Sequence, residues 1–161
     1  MNLNPEIGGF AKYKSDCCEL VAVLASDEDS FEMLEDQIDM TIDFNDHFLE
    51  RLHNVLQEQF SRVGCLVKIE VDEQAKGNGL GASMMDCFDR DIGSQTEVDI
   101  LFARINNPQH KGFSLRTFYE KRGYEPIRFE DGSLLMANKG KASELIQLLG
   151  LHRSYGSTLE P

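Results

Sequence analysis

Lys76-Gly77-Asn78-Gly79-Leu80-Gly81 lies between an apolar alternating run, Gly64-Cys-Leu-Val-Lys-Ile-Glu-Val71, and an amphipathic run from Leu80 to Phe88. A strand, a glycine-rich turn and a helix follow one another with almost no spacer. Such a turn leaves several backbone N–H groups aimed at one point, at the positive end of the helix dipole, and this suits phosphate oxygens. The glycines keep side chains away, so a bulky pyrophosphate can approach the backbone.

Three glycine-turn chemistries compete. A Walker A loop needs G-x-x-x-x-G-K-[ST], and no Lys-Ser or Lys-Thr follows these glycines. A dinucleotide fingerprint is matched in form by Gly77, Gly79 and Ala82, but it also wants an acidic residue at the end of the next strand. Asp99 lies at about the right distance yet near the start of the next apolar run, Glu97 to Ala103, and so at the wrong end. The third chemistry is coenzyme A binding.

A second segment favours the third. Phe118-Tyr119-Glu120-Lys121-Arg122-Gly123-Tyr124-Glu125-Pro126 reads as the end of a short helix, a glycine stop and a strand. Together the two segments resemble the GNAT superfamily of N-acetyltransferases. The family's pyrophosphate motif, Q/R-x-x-G-x-G/A, is occupied by Lys76 to Gly81, with Lys in place of the usual Gln or Arg. The later Tyr-x-Lys-x-Gly-aromatic signature is matched by Tyr119 to Tyr124. The resemblance covers about Val67 to Lys139 and has a strand before, between and after the motifs.

The resemblance implies an α/β (α+β) fold. Its central sheet is mixed and mostly antiparallel, with a splayed parallel strand pair, and helices flank it. It implies an acetyl-CoA-dependent N-acetyltransferase, with acetyl-CoA as co-substrate and no metal. Cofactor contacts fall on Ile69 and Val71 of the strand and on Lys76, Gly77, Asn78, Gly79, Leu80 and Gly81 of the loop. The family's Asn, seven residues before the Tyr, is absent, because position 112 is Gly. Asn106 or Asn107 serves instead, with Pro108 to Phe113 read as a local insertion. Tyr119 matches the residue that protonates the departing sulfur. For the general base, Glu70 on the strand is the first candidate, with Glu97 and Asp99 on its neighbour and then His110 and Asp72. Many family members need only a water chain. Alternation places Glu70 and Lys68 on the face opposite Ile69 and Val71. The alternative function is a non-catalytic acyl-CoA-binding or protein-interaction module on the same fold.

Length and composition fit this frame. A chain of 161 residues with 41% hydrophobic content is one ordinary domain. We expect that domain over residues 1–150 and a flexible tail over 151–161. No apolar stretch approaches the length of a membrane span, and the first residues lack a signal peptide's pattern, so a cytoplasmic protein is expected. Cys17, Cys18, Cys65 and Cys87 show no C-x-x-C spacing and are expected as reduced core thiols. Net charge is −12, and residues 27–50 carry ten carboxylates with no Lys or Arg. That run reads either as a solvated helical face or as a funnel for a cationic acceptor. The acidity argues against direct nucleic-acid binding. The partner is then an amine, small molecule or protein, and a homodimer is compatible with the sequence.

The remaining periodicities set the order of elements. Residues 10–25 suggest a strand or hairpin. Phe31, Leu34, Ile38 and Ile42 repeat at helical spacing, and so does the set from Phe48 to Val63, with Asn45 or Asp46 as N-cap between them. The spacing predicts strands at 65–72, 97–104, 125–129 and 133–137, and helices at 79–91, near 114–122 and at 141–149. Glu130-Asp-Gly132 marks a hairpin turn. One departure from the family stands out. Val63 runs directly into the strand before the glycine loop, so the family's intervening hairpin is missing or displaced to 10–25.

Overall fold

The computed structural model describes residues 2–6, 8–41, 44–104 and 115–151. Six strands form one mixed sheet in the order β1-β2-β3-β4-β6-β5. They are β1 (Phe10–Lys14), β2 (Cys18–Ala25), β3 (Val63–Val71), β4 (Val98–Arg104), β5 (Glu125–Glu130) and β6 (Ser133–Ala137). Only β3 and β4 run parallel; the other neighbours are antiparallel. The helices are α1 (Glu28–Thr41), α2 (Asp46–Gln59), α3 (Leu80–Asp91), α4 (Leu115–Glu120) and α5 (Ala142–Leu148). The fold class expected from the glycine loop and its flanks is the one observed.

The chain divides into two compact units, Met1–Thr41 with Phe60–Asp99, and Ile42–Gln59 with Ile100–Pro161. In the first unit, β1 and β2 form a hairpin within 10–25, where the sequence allowed a strand or a hairpin, and β2 pairs along the whole of β3. The chain passes from α2 to β3 with no hairpin between. β2 is buried along nearly its whole length, with Leu20, Ala22, Val23 and Ala25 all fully inside. Helix α1 packs on β2 and β3 through Leu34 and Ile38, one turn apart on a single stripe. Its start is capped by Asp27, whose Oδ1 accepts the Ser30 N–H at 2.8 Å. Ser30 Oγ in turn accepts the N–H groups of Ser26 and Asp27 at 2.7 and 2.9 Å. The Ser30 hydroxyl, which donates to Asp27 Oδ1 at 2.7 Å, and then the Ser30 N–H hold the Asp27 carboxyl below its ordinary range.

The second unit contains α2, whose N-cap is Asn45: its Oδ1 accepts the N–H of His47 at 2.9 Å and of Phe48 at 3.4 Å. Phe44 packs against Phe48 and Phe102 with ring centroids 5.5 and 5.6 Å apart. Arg128 lies 4.4 Å over the Phe48 ring and pairs with Glu130 at 2.9 Å. The β5–β6 turn uses Asp131 and Gly132, both with positive φ, as a two-residue hairpin requires.

Candidate functional site

Strand β3 ends at Val71 and the chain enters a 3-10 turn over Glu73–Ala75, then the glycine turn, then α3. Gly77 (φ +88) and Gly79 (φ +76) both take the left-handed conformation that L side chains avoid. Among the described residues a Cβ at either would meet no atom within 4 Å, and residues 76–79 are exposed. The turn is therefore open, not packed. Gly79 is the N-cap of α3, and its carbonyl accepts the Ser83 N–H at 3.0 Å, the first bond of the helix. The N–H groups that precede it in a helix have no acceptor within the helix. Leu80 and Gly81, in that first turn, are half-buried. These are the features that oxyanions of a phosphate need.

Lys76, expected to add a positive charge, pairs with Glu73 at 3.0 Å. Its charge is shared with a carboxylate of the same turn. Asn78 is exposed. Ile69 and Val71 lie opposite Leu20 and Cys18 on β2, and both are half-buried. A β-bulge falls between them and the strand's buried half: Val21 pairs with Lys68 and Ala22 with Leu66, which leaves Val67 as the extra residue. The bulge re-aims the last part of β3 just before the loop. It was not legible in the sequence, because Val67 keeps the apolar pattern going.

Glu70 shares a sheet face with Lys68, as alternation requires, and pairs with it at 3.5 Å while 65% exposed. Lys68 also binds Glu19 at 2.9 Å, and Lys12 binds Glu19 at 3.1 Å. The two ammonium groups, Lys68 foremost, bring the Glu19 carboxyl down to about 2. A ladder of four alternating charges thus crosses β1, β2 and β3 on one face.

The other candidate bases have backbone or core partners. Glu97 accepts the N–H groups of Ser61 and, at 3.1 Å, of Arg62. Asp99 is fully buried and accepts the Thr96 hydroxyl. Gly64 and Gly93 close over its carboxylate, so that a Cβ at Gly64 would collide with Oδ1. A glycine inside a strand marks close backbone approach, and Gly64 was the available signal for this pocket. Asp72 is exposed and donates its N–H to the Cys17 carbonyl at 2.8 Å. Asn106, Asn107 and His110 lie outside the described residues.

Tyr119, in the second unit, is the buried residue of α4. Its ring meets Phe118 edge-on at 5.2 Å and Tyr124 at 6.0 Å. Burial pushes its phenol up to about 12, against a smaller opposing effect of Arg122. The hydroxyl therefore keeps its proton throughout the neutral range.

All four cysteines are free thiols, three of them buried. Among the described residues no group of three or more His, Cys, Asp or Glu could hold a metal ion, and no helix is long and apolar enough to cross a membrane. The carboxylates of α1, from Glu28 to Asp39, are exposed, as are Asp46 and Glu50 on α2.

No family model matches the sequence, and no curated protein matches it. Among solved structures, PH1933 from Pyrococcus horikoshii OT3 is similar at 17% identity, over 83% of this chain and 66% of its own, with a TM-score of 0.47. A crystal structure of an acetyltransferase is similar at 19% identity, over 80% of this chain and 68% of that one, with a TM-score of 0.43. The chain spans just under two thirds of the first of these. Likeness of this degree bears on neither activity nor substrate.

Proposed function

We propose that the chain is an acetyl-CoA-dependent N-acetyltransferase that moves an acetyl group directly to an amine. The observation that carries this reading is the open glycine turn between β3 and α3, with Gly77 and Gly79 left-handed and free of neighbours where a Cβ would stand. A turn of that shape at a helix start fits a pyrophosphate. The Tyr119–Tyr124 motif downstream narrows the ligand to coenzyme A through its resemblance to the GNAT pattern.

In this reading Lys76, Gly77, Asn78, Gly79, Leu80 and Gly81 hold the pyrophosphate. The backbone of β3 around Ile69 and Val71 holds the pantetheine arm, and the bulge at Val67 sets the course of that backbone. Asn107 is assigned a further contact. The amine nitrogen attacks the acetyl carbon, the C–S bond breaks, and Tyr119 gives its proton to the leaving sulfur. A buried phenol titrating near 12 is fully protonated when that proton is needed. Glu70 is assigned as the base that takes the amine's proton, through water. The assignment of Tyr119 rests on its motif and its own surroundings. The ten carboxylates of residues 27–50 favour a cationic acceptor, a small polyamine-like amine or a basic protein segment, and disfavour a nucleic acid. No metal has a part in the reaction.

One observation favours the alternative, a non-catalytic acyl-CoA-binding or protein-interaction module: Lys76 stands where the motif has Gln or Arg and is engaged by Glu73. Calorimetry with acetyl-CoA, followed by thiol release in the presence of a broad amine panel, separates the two. The proposal expects micromolar-scale binding and turnover. Gly79→Val should weaken binding by about 10²-fold or more while the fold persists, because its branches would fill the phosphate's place. Tyr119→Phe should cut turnover by roughly 10²-fold and leave binding unchanged. Binding without turnover on any amine would select the alternative. A Gly79→Val variant that binds like the parent would remove the loop from the site.

A further inference from the structure

Cys17 ends the turn between β1 and β2 and Cys18 opens β2; the Ser15 N–H closes that turn by donating to the Cys18 carbonyl at 2.9 Å. Adjacent side chains in extended backbone point to opposite faces. Here a single oxygen reaches both: Ser15 Oγ lies 3.6 Å from Cys17 Sγ and 3.2 Å from Cys18 Sγ. Both sulfurs therefore lie within reach of one hydroxyl. Ser15 Oγ also accepts the Cys17 N–H at 3.3 Å, and in its contacts with the two thiols either partner is able to donate. A thiolate formed on either cysteine would find a donor there.

The four thiols differ in access. Cys18, Cys65 and Cys87 are buried, and Cys17 is half-buried at the turn. Burial, with Asp99 adding to it, pushes the Cys65 thiol well above its ordinary value, and burial also raises Cys87. Cys17 is thus the thiol that a solute meets first. Its carbonyl holds the Asp72 N–H, and Asp72 is the residue through which β3 passes into the loop. The turn is thus hydrogen-bonded to the root of the glycine loop.

We infer that Cys17 and Cys18 form a vicinal dithiol that exchanges with low-molecular-weight disulfides, and that the oxidised turn slackens the glycine loop. The first half stands by itself; the second rests on the loop being the acetyl-CoA site. In the exchange, the Cys17 thiolate attacks one sulfur of R–S–S–R. That bond breaks, and RS⁻ leaves and takes up the proton Cys17 gave. The Cys18 thiolate then attacks the Cys17 sulfur and expels the second RS⁻, which is protonated in turn. Two protein thiols are oxidised and one disulfide is reduced to two thiols. The product ring encloses the Cys17–Cys18 peptide, far from relaxed disulfide geometry, so it is readily reduced again.

The test uses glutathione disulfide on the full chain at neutral pH, with acid quench, intact mass and peptide mapping. The parent should lose the mass of two hydrogens, with the change mapped to Cys17 and Cys18. Cys18→Ala should stop at one glutathione adduct on Cys17, and Cys17→Ser should stay unmodified. A parent of unchanged mass, an adduct on Cys65 or Cys87 instead, or a Cys17→Ser variant reacting as fast as the parent would overturn the site. For the coupling, acetyl-CoA affinity by calorimetry should fall about fivefold on oxidation, the low end of ordinary coupling between sites. It should return with reductant and stay constant in oxidant-treated Cys17→Ser. Unchanged affinity in the oxidised parent would overturn the coupling. A reduced parent that does not bind acetyl-CoA would sink the proposed function and the coupling, while the mass result would still decide the dithiol.

Discussion

Gly64 and Gly93 differ from Gly77 and Gly79 in both respects that can make a glycine necessary. The first pair lie against the buried Asp99 carboxylate with ordinary φ, and a Cβ would strike Oδ1 at Gly64 and come within 3.1 Å of Oδ2 at Gly93. The second pair have positive φ and open space around them. One pair is glycine because the interior is full. The other is glycine because the backbone is turned, and no described residue occupies the space. Only the second kind leaves room for a ligand, and the contrast within one unit distinguishes a packing requirement from a conformational one.

The comparison makes its largest prediction at Gly64. Gly64→Ala forces a methyl into the Asp99 carboxylate, and neither β3 nor the buried aspartate can yield cheaply. The expected loss is about 3 kcal/mol, the upper part of the usual overpacking range. That corresponds to a Tm lower by about 6–12 °C for a chain of this size. Chemical denaturation at neutral pH reads it. Gly93→Ala, which needs a shift of only a few tenths of an ångström, should lose about 1 kcal/mol. A Gly64→Ala protein as stable as the parent would mean that Asp99 moves freely, and the packing half of the contrast would fail.

Asp99 itself sharpens the point. If its carboxylate is what excludes a Cβ, the cost of Gly64→Ala should shrink in an Asp99→Ala background. A double-mutant cycle should return a coupling of about 1–2 kcal/mol. Strict additivity would place the conflict elsewhere, Ile92 being the next neighbour of that Cβ.

Gly77→Ala and Gly79→Ala come next in size. Nothing collides, so only the left-handed backbone is penalised, by about 1 kcal/mol each. Stability losses as large as that at Gly64 would reveal hidden packing in the loop and erase the distinction. The expected signature is a small change in Tm beside a large change in acetyl-CoA binding for the bulkier Gly79→Val.

The sequence made the second kind of glycine easy to read and the first kind hard. Gly77 and Gly79 sit between a strand pattern and a helix pattern, where local rules suffice, and the boundaries of β3 and α3 follow. The same holds for the Asn45 cap and the Asp131–Gly132 turn. The pocket around Asp99 depends on residues from β3, from the end of α3 and from β4, far apart in the chain, and no periodicity encodes that meeting. Glu97 and Asp99 read as possible bases because their type was visible and their partners were not. Glu97 is occupied by two backbone N–H groups and Asp99 by Thr96. Lys76 read only as a cofactor contact for the same reason, since Glu73 is its partner only once the 3-10 turn forms.

The smallest effect compares two carboxylates of the first unit, Asp99 inside and Glu19 on the open face of the sheet. Glu19 is held by Lys68 and Lys12, and its carboxyl titrates near 2 where 4.5 is ordinary. A carboxyl lowered on folding contributes stability that is present above its unfolded value and is lost as pH falls through the folded one. The window is therefore pH 4.5 down to about 2. Glu19→Gln should lower Tm by about 1 °C at pH 7, as a partly exposed pair allows. Parent and variant should converge as the pH falls through about 2, where the parent's carboxyl takes up its proton. Molar salt should narrow the gap at neutral pH, because it screens both ammonium partners. A difference that persists unchanged at pH 2 would mean that Glu19 acts through packing, as Asp99 and its glycines do, and that the charge ladder contributes nothing of its own.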